Sequence, residues 1–314
     1  MARSSTFSLL KMPKPPSLDD DSRALWGLLS IFAAAALWSV AAVTARHLFD
    51  QGLDPIELAE ARSFIAVFCL VLIPAARRKR SGGSAVAVIT LGLSIALVNA
   101  VYYSAIARLD VAVALVLQYT APALVVGWVA FQKRRLPSTE VALALVITFV
   151  GVVLVSGLIG AEVGEVNSAG VAFGLASSVL FATYTLLSER AGAAYGVLGA
   201  LLRGFSAAAL MWILFQIPRG WPADLLDPDN LFRVIYVGVA GTFMPFILFL
   251  WGVQQVRAER AAIAATAEPT LAAVIAWVWL GQALTVVQML GGALVLLGVV
   301  ALQVRRKEID VPDL

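Results

Sequence analysis

The 314-residue sequence holds one cysteine, Cys69, and one histidine, His47. No intrachain disulfide can form, and a Cys/His metal site has no donor set. Charge is scarce as well, at 14% of residues, where a soluble domain carries about 25%. The net charge of +3 resides in short loops between apolar runs, so it does not read as a nucleic-acid footprint. No GxxxxGK[ST] loop is present, which argues against ATP drive within the chain. No aspartate lies deep in an apolar run, and His47 sits at a run's end, so intramembrane hydrolysis lacks its groups. The expectation is a protein without enzyme activity, cofactor or metal.

What the sequence has is apolar length. Hydrophobic residues make up 61% of the chain and the mean hydropathy is +0.89. That exceeds what a water-soluble core can hide, so the chain reads as an integral membrane protein. Ten apolar runs cover 25–46, 54–76, 84–106, 111–132, 138–158, 168–189, 195–217, 231–253, 259–281 and 284–304. About 20 apolar residues cross a bilayer as a helix, because lipid leaves every backbone polar group to be satisfied within its own segment. Residues 1–23, with Pro13, Pro15, Pro16 and Asp19–Asp21, read as a disordered leader, and 306–314 as a tail.

The loops set the orientation. Arg77–Arg80, Lys133–Arg135, Arg190, Arg257 with Arg260, and Arg305–Lys307 fall on one side. Asp50, Glu162, Glu165, Asp224, Asp227 and Asp229 fall on the other, with only Arg46, Arg108, Arg219 and Arg233 beside them. The positive-inside rule then places both termini in the cytoplasm.

The fourth and ninth runs each carry one proline, Pro122 and Pro269, 147 positions apart. The same shift carries Gly151-Val152-Val153 onto Gly298-Val299-Val300. Arg62-Ser63-Phe64 and Arg203-Gly204-Phe205 correspond in the second helices, and Leu37-Trp38 and Leu180-Phe181, more weakly, in the first. The chain is therefore two five-helix repeats, 24–159 and 160–305. Five is odd, so the second repeat enters the membrane inverted, an arrangement of secondary transporters whose site lies near the midplane.

Glu268, just before Pro269, is the one acid this reading places well inside a run, and a charge at that depth is costly enough to need a cavity or a partner. Ala261, Ala265 and Ala272 share its helical face. It can hold a substrate ammonium, carry a proton, or bond as a neutral acid to carbonyls released by Pro269. Pro122 and Pro269 read as hinges or as static kinks. Arg62 and Arg203 can neutralise a substrate carboxylate, seal the ends of a pathway, or snorkel to headgroups. Glu57, after Asp54-Pro55, reads as a helix-start residue. Trp38, Tyr102, Tyr103, Tyr119, Tyr184, Phe246 and Trp251 lie inside spans, away from the interfacial belts; with Asn99 and Gln118 they could line a cavity for a compact amphiphile, or pack and face lipid. Gly170-x-x-x-Gly174 and Gly291-Gly292 read as close helix contacts. With one deep acid, a multi-residue proton relay is not expected, and single-carboxylate antiport and simple facilitation stay open.

The two halves of five helices, Ala267-Glu268-Pro269, and the turn Leu280-Gly281-Gln282-x-Leu284-Thr285 leading to Gly291 and Gly298 resemble the EamA-type branch of the drug/metabolite transporter superfamily over residues 25 to 305. That pattern usually has Glu where this turn has Gln282. The resemblance implies a ten-helix inner-membrane permease with a central cavity lined by helices one, three, four, six, eight and nine. Members often export amino acids, and those that export aromatic ones are the nearer likeness. The implied partners are a small-molecule substrate and the bilayer, with the protein a monomer. A carrier of nucleotide sugars or other anionic metabolites would want more deep cations than Arg62 and Arg203. A non-transporting accessory subunit would lack a polar cavity.

Overall fold

The computed structural model describes residues 20–77, 84–121, 123–124, 128, 131, 139–155, 167–222, 224–255, 264–265 and 267–304. Pro122, Ala261, Lys133–Arg135, Glu162, Glu165, Arg257 and Arg260 lie outside the described residues. The described residues are helical and contain no strand. In chain order the first repeat gives α1 (Asp20–Asp50), α2 (Pro55–Val71), α3 (Ala85–Ile106), α4 (Val111–Gln118) and α5 (Thr139–Val155). The second gives α6 (Ser168–Tyr195), α7 (Val197–Gln216), α8 (Pro228–Gly238), α9 (Met244–Gln255), α10 (Ala267–Leu280) and α11 (Val286–Val304). Each of the ten apolar runs holds helix. α1 starts at Asp20, a turn before its apolar run and inside the stretch read as leader.

The helix starts follow local chemistry. Asp54 caps α2 by accepting the Ile56 N–H at 2.7 Å, with Pro55 in the first turn, where its missing donor costs nothing. Asn167 caps α6 through Gly170 N, and Asp227 caps α8 through Asp229 N. The eighth span is interrupted: Val239–Phe243 is a π-helical turn joining α8 to α9. Pro245 explains it, because proline lacks the N–H that would reach the Gly241 carbonyl and its ring collides with that carbonyl, so the chain widens by one residue per turn there.

Packing exchanges partners in a regular way. α1 packs on α9 and α10, and α6 packs on α3 and α4. α2 packs on α7 and α8, and α7 packs on α2 and α3. α4 meets α10, and α5 meets α11. Replacing each helix by its counterpart in the other repeat returns the same set of pairs. The α5–α11 pair shows the symmetry at atomic scale. A Cβ on Gly151 would meet Gly291 O and Val295 N, each at 2.7 Å, while one on Gly298 would meet Ala144 and Thr148. A shift of 147 converts the first set of contacts into the second. Gly170 and Gly174 likewise let α6 close on Leu109 and Leu117.

Exposed apolar side chains ring the bundle. On α10 Ala272 and Ala276 are buried while Trp277 and Val278 are 62% and 74% exposed. Such a surface suits lipid and would be prohibitive in water. Five described helical segments, in α1, α3, α6, α7 and Pro228–Phe249, are long and apolar enough to cross a bilayer. At one end of the bundle the loops after α1, α3, α7 and α10 meet. Arg46 Nη1 donates to Ile106 O and Leu109 O at 2.8 and 2.9 Å, and Val111 N donates to Gln282 Oε1 at 3.0 Å. These are the loops that alternate crossing puts on one side. Gln282 in place of Glu thus acts as a neutral cap for α4, whose own Asp110 makes no side-chain cap bond.

Candidate functional site between the repeats

The ninth span supplies the centre. Pro269 leaves the Ala265 carbonyl without its helical donor. Tyr119, at the end of α4, takes that place: its hydroxyl lies 3.0 Å from Ala265 O and 2.7 Å from Glu268 Oε2. One hydroxyl proton faces two acceptors, so when it turns to Ala265 either the Glu268 oxygen is released or Glu268 itself brings a proton. Across the same junction Ser39 on α1 donates to the backbone carbonyl of Glu268 at 2.9 Å. The other repeat echoes this contact, with Thr120 and Ser178 hydroxyls 2.7 Å apart. Glu268 is 9% exposed, and its counterpart under the 147 shift is Ala121, so only one half carries the acid.

Arg62 approaches from α2. It is 8% exposed; Nε donates to Thr242 Oγ1 at 3.0 Å and Nη1 to Tyr103 Oη at 3.1 Å. Its guanidinium lies 5.2 Å from the Tyr103 ring centroid. Thr242 sits in the π-turn and donates to Val237 O, five residues back. Arg62 therefore does not snorkel to headgroups: its side chain points inward, where Pro245's break in the eighth span presents a hydroxyl. Among the described residues no carboxylate lies within 4.0 Å of it. Arg62 and Glu268 are both buried, and each is bonded to a tyrosine hydroxyl, Arg62 to Tyr103 and Glu268 to Tyr119.

The Tyr102 and Tyr103 rings lie 5.4 Å apart, tilted by 33°, and Tyr184 on α6 lies 5.9 Å from Phe181. Tyr102, Tyr119 and Tyr184 are part-buried, and Tyr103 is buried. Trp38 packs edge-on to Phe246 at 5.6 Å and against Phe249 at 5.7 Å, and Phe246 also meets Phe205. These rings form a wall between α1, α7 and α9. Asn99 donates to Ile95 O on its own helix, and Gln118 is half-buried at the end of α4. Arg203 is set apart from Arg62: it bonds Gly199 O and stacks 4.4 Å from the Tyr195 ring, at the start of α7.

A vestibule of about 1050 Å³ opens at the end where the α1, α7 and α10 loops meet. Gln51, Asp229, Arg233 and Trp279 rim it, and Thr44 and Val40 carry it down α1 to the neighbour of Ser39. It does not include Glu268.

Two acids lie deep, which corrects the expectation of one. Glu60 on α2 is 1% exposed, and the amide of Gln216 reaches both of its oxygens, at 2.9 and 2.7 Å. Its position one turn after Glu57 disguised it as part of a polar helix start. Thr242 was missed as well, although Pro245 marks the break that presents it.

A model of the EamA-like transporter family matches residues 25–157 and again 168–303. The uncharacterized inner membrane transporter YicL of Salmonella typhimurium is 25% identical over 284 residues, covering 87% of this chain and 94% of its own. An uncharacterized transporter of Archaeoglobus fulgidus is 28% identical over 87% of this chain and 95% of its own. The threonine/homoserine exporter RhtA of Escherichia coli K12 is 26% identical over 71% of this chain and 73% of its own. A crystal structure of a protein, 20% identical, superposes on 92% of this chain and 99% of its own with a TM-score of 0.57, a likeness of fold. With both halves of the chain matched, this chain belongs to the EamA-like transporter family and is a multi-pass membrane transporter.

Proposed function

We propose that the protein moves small neutral amino acids, aromatic ones included, across the inner membrane by alternating access, in the export direction or by facilitated diffusion. The observation that carries this reading is Arg62, a buried cation with no carboxylate within 4.0 Å among the described residues, bonded to the Tyr103 phenol while the Glu268 carboxyl is bonded to the Tyr119 phenol; the substrate is proposed to bind between them. A zwitterion supplies both missing partners. Its carboxylate displaces the neutral acceptors of Arg62 and forms the charge-assisted contact that guanidinium favours. Its ammonium takes the Glu268 oxygen that Tyr119 releases when it turns to Ala265. Tyr102, Tyr103, Tyr119 and Tyr184 offer the apolar part of the substrate ring faces and hydroxyls, with Trp38, Phe246, Asn99 and Gln118 around them. Pro122 and Pro269 act where the two repeats hinge or kink. Arg203, stacked on Tyr195, serves the opposite mouth. RhtA, named as a threonine/homoserine exporter, supports the same substrate class. The protein works as a monomer with both termini in the cytoplasm.

The test is uptake of labelled tryptophan, phenylalanine, leucine, threonine and glutamate into liposomes holding the purified protein, with and without a pH gradient. Neutral amino acids are expected to cross and glutamate to be excluded. Transport unaffected by the gradient makes the protein a facilitator; gradient-driven transport lost in Glu268→Gln makes Glu268 the coupling group. Entry no faster than into empty liposomes for all five overturns the assignment.

A further inference from the structure

We propose that Glu60 and Gln216 form a proton-binding site separate from Glu268, at which protonation loosens the junction between the repeats. Glu60 is less exposed than Glu268 and has only a neutral amide bonded to it, with no cation within 4.0 Å among the described residues. A carboxylate in that position is held by two contacts to one amide nitrogen. An amide is also the neutral side chain that serves both protonation states. Its NH₂ donates to the carboxylate, and after a flip its oxygen accepts from the carboxylic acid. The pair can therefore take up and lose a proton without leaving a buried group unsatisfied.

Its place in the fold gives this a consequence. α2 and α7 are counterparts in the two repeats and pack on each other, so the pair bridges the two halves. Glu60 lies five residues after Pro55, about 8 Å into α2, and Gln216 is the last residue of α7. The proton comes from, and returns to, the aqueous phase at the end that carries the vestibule. The charges acting on Glu60 are Glu57 and Asp54 on its own helix and Arg219 beyond α7. α8 meets α2 through Gly238 on Ile65, and the π-turn and α3 meet it through Thr242 and Tyr103 on Arg62, whose guanidinium is engaged by those two hydroxyls; the 3-10 turn Asp224–Leu226 also packs on α2. Protonation replaces two charge-assisted contacts by one neutral hydrogen bond, which is the weaker link. The effect on transport rests on the transporter reading above; the binding of the proton does not.

The experiment is infrared difference spectroscopy of the purified full-length Glu268→Gln protein between mildly alkaline and mildly acidic buffer. A carboxylic-acid carbonyl component is expected on acidification, retained in Glu60→Asp and lost in Glu60→Gln. The double replacement Glu60→Leu with Gln216→Leu, which strands no buried polar partner, must lose it too. Deuterium exchange of the amides at 213–220, corrected for intrinsic rates, should rise on the order of five-fold on acidification, and not in Glu60→Gln. A component that survives removal of Glu60, or exchange that responds to pH equally without it, overturns the proposal. Neither readout contains a substrate, so failure here leaves the amino-acid assignment intact, and failure of the uptake panel leaves this site intact.

Discussion

Tyr119→Phe isolates the contact on which the centre is built. The substitution removes one oxygen and leaves the ring, so packing changes little. It strands the Ala265 carbonyl, whose helical donor is absent because residue 269 is proline, and removes the donor 2.7 Å from Glu268. An unsatisfied buried acceptor costs about 1–3 kcal/mol, and hydrogen bonds measured inside membrane proteins average about 0.6. A loss of about 1–2 kcal/mol is therefore expected. The decisive comparison is the same change in a Pro269→Ala background. Alanine restores the N–H that Ala265 needs, so Tyr119→Phe should cost about 1 kcal/mol less there. The assay is a double-mutant cycle in reversible unfolding, followed by circular dichroism in mixed micelles. Equal cost of Tyr119→Phe in both backgrounds would refute the account of the released carbonyl.

Three further outcomes follow. Gly151→Val puts side-chain carbons where a Cβ would already be 2.7 Å from Gly291 O and Val295 N, and should destabilise the α5–α11 pair by about 1–3 kcal/mol in the same assay. Pro245→Ala and Thr242→Val remove the same bond to Arg62, one by relaxing the π-turn and the other by deleting its hydroxyl; both should raise KM for transport by a similar factor, roughly ten-fold. Burial holds the Asp110 carboxyl above its ordinary range, with Arg46 opposing. An acid that binds its proton more tightly when folded gives stability that is complete in acid and is lost as pH rises through and above the ordinary aspartate value of 3.8. Asp110→Asn should therefore match the parent in acid and exceed it at neutral pH, by less than about 1 kcal/mol given partial solvent screening, as read from unfolding midpoints across pH.

The ten spans and the duplication were legible because lipid permits few solutions: long apolar runs become helices, and a repeated pattern becomes a repeated fold. The 147-residue shift read from Pro122, Pro269, Gly151 and Gly298 turns out to govern which atoms meet between α5 and α11. Glu268 was legible for the same reason, as an acid embedded in an apolar run. Glu60 was not, since an acid near a helix start ordinarily faces headgroups, and only the placement of Gln216 opposite it, 156 residues later, buries it. Arg62 and Arg203 occupy matching triplets yet differ in surroundings. α9 carries Pro245 and so opens the π-turn toward Arg62, whereas α3, its counterpart, has no proline. Local sequence could not separate them because the difference lies on the partner helices.

The central claim is that Arg62 and Glu268 hold the two charged ends of one zwitterion. It is tested most directly by competition for phenylalanine transport with two analogues, one lacking the carboxylate and one lacking the ammonium. The wild type should discriminate against both. Arg62→Met should lose discrimination against the analogue without a carboxylate, and Glu268→Gln against the analogue without an ammonium, each by roughly ten-fold, as for one charge-assisted contact. Discrimination that is absent in the wild type, or that both variants alter alike for both analogues, would contradict the account.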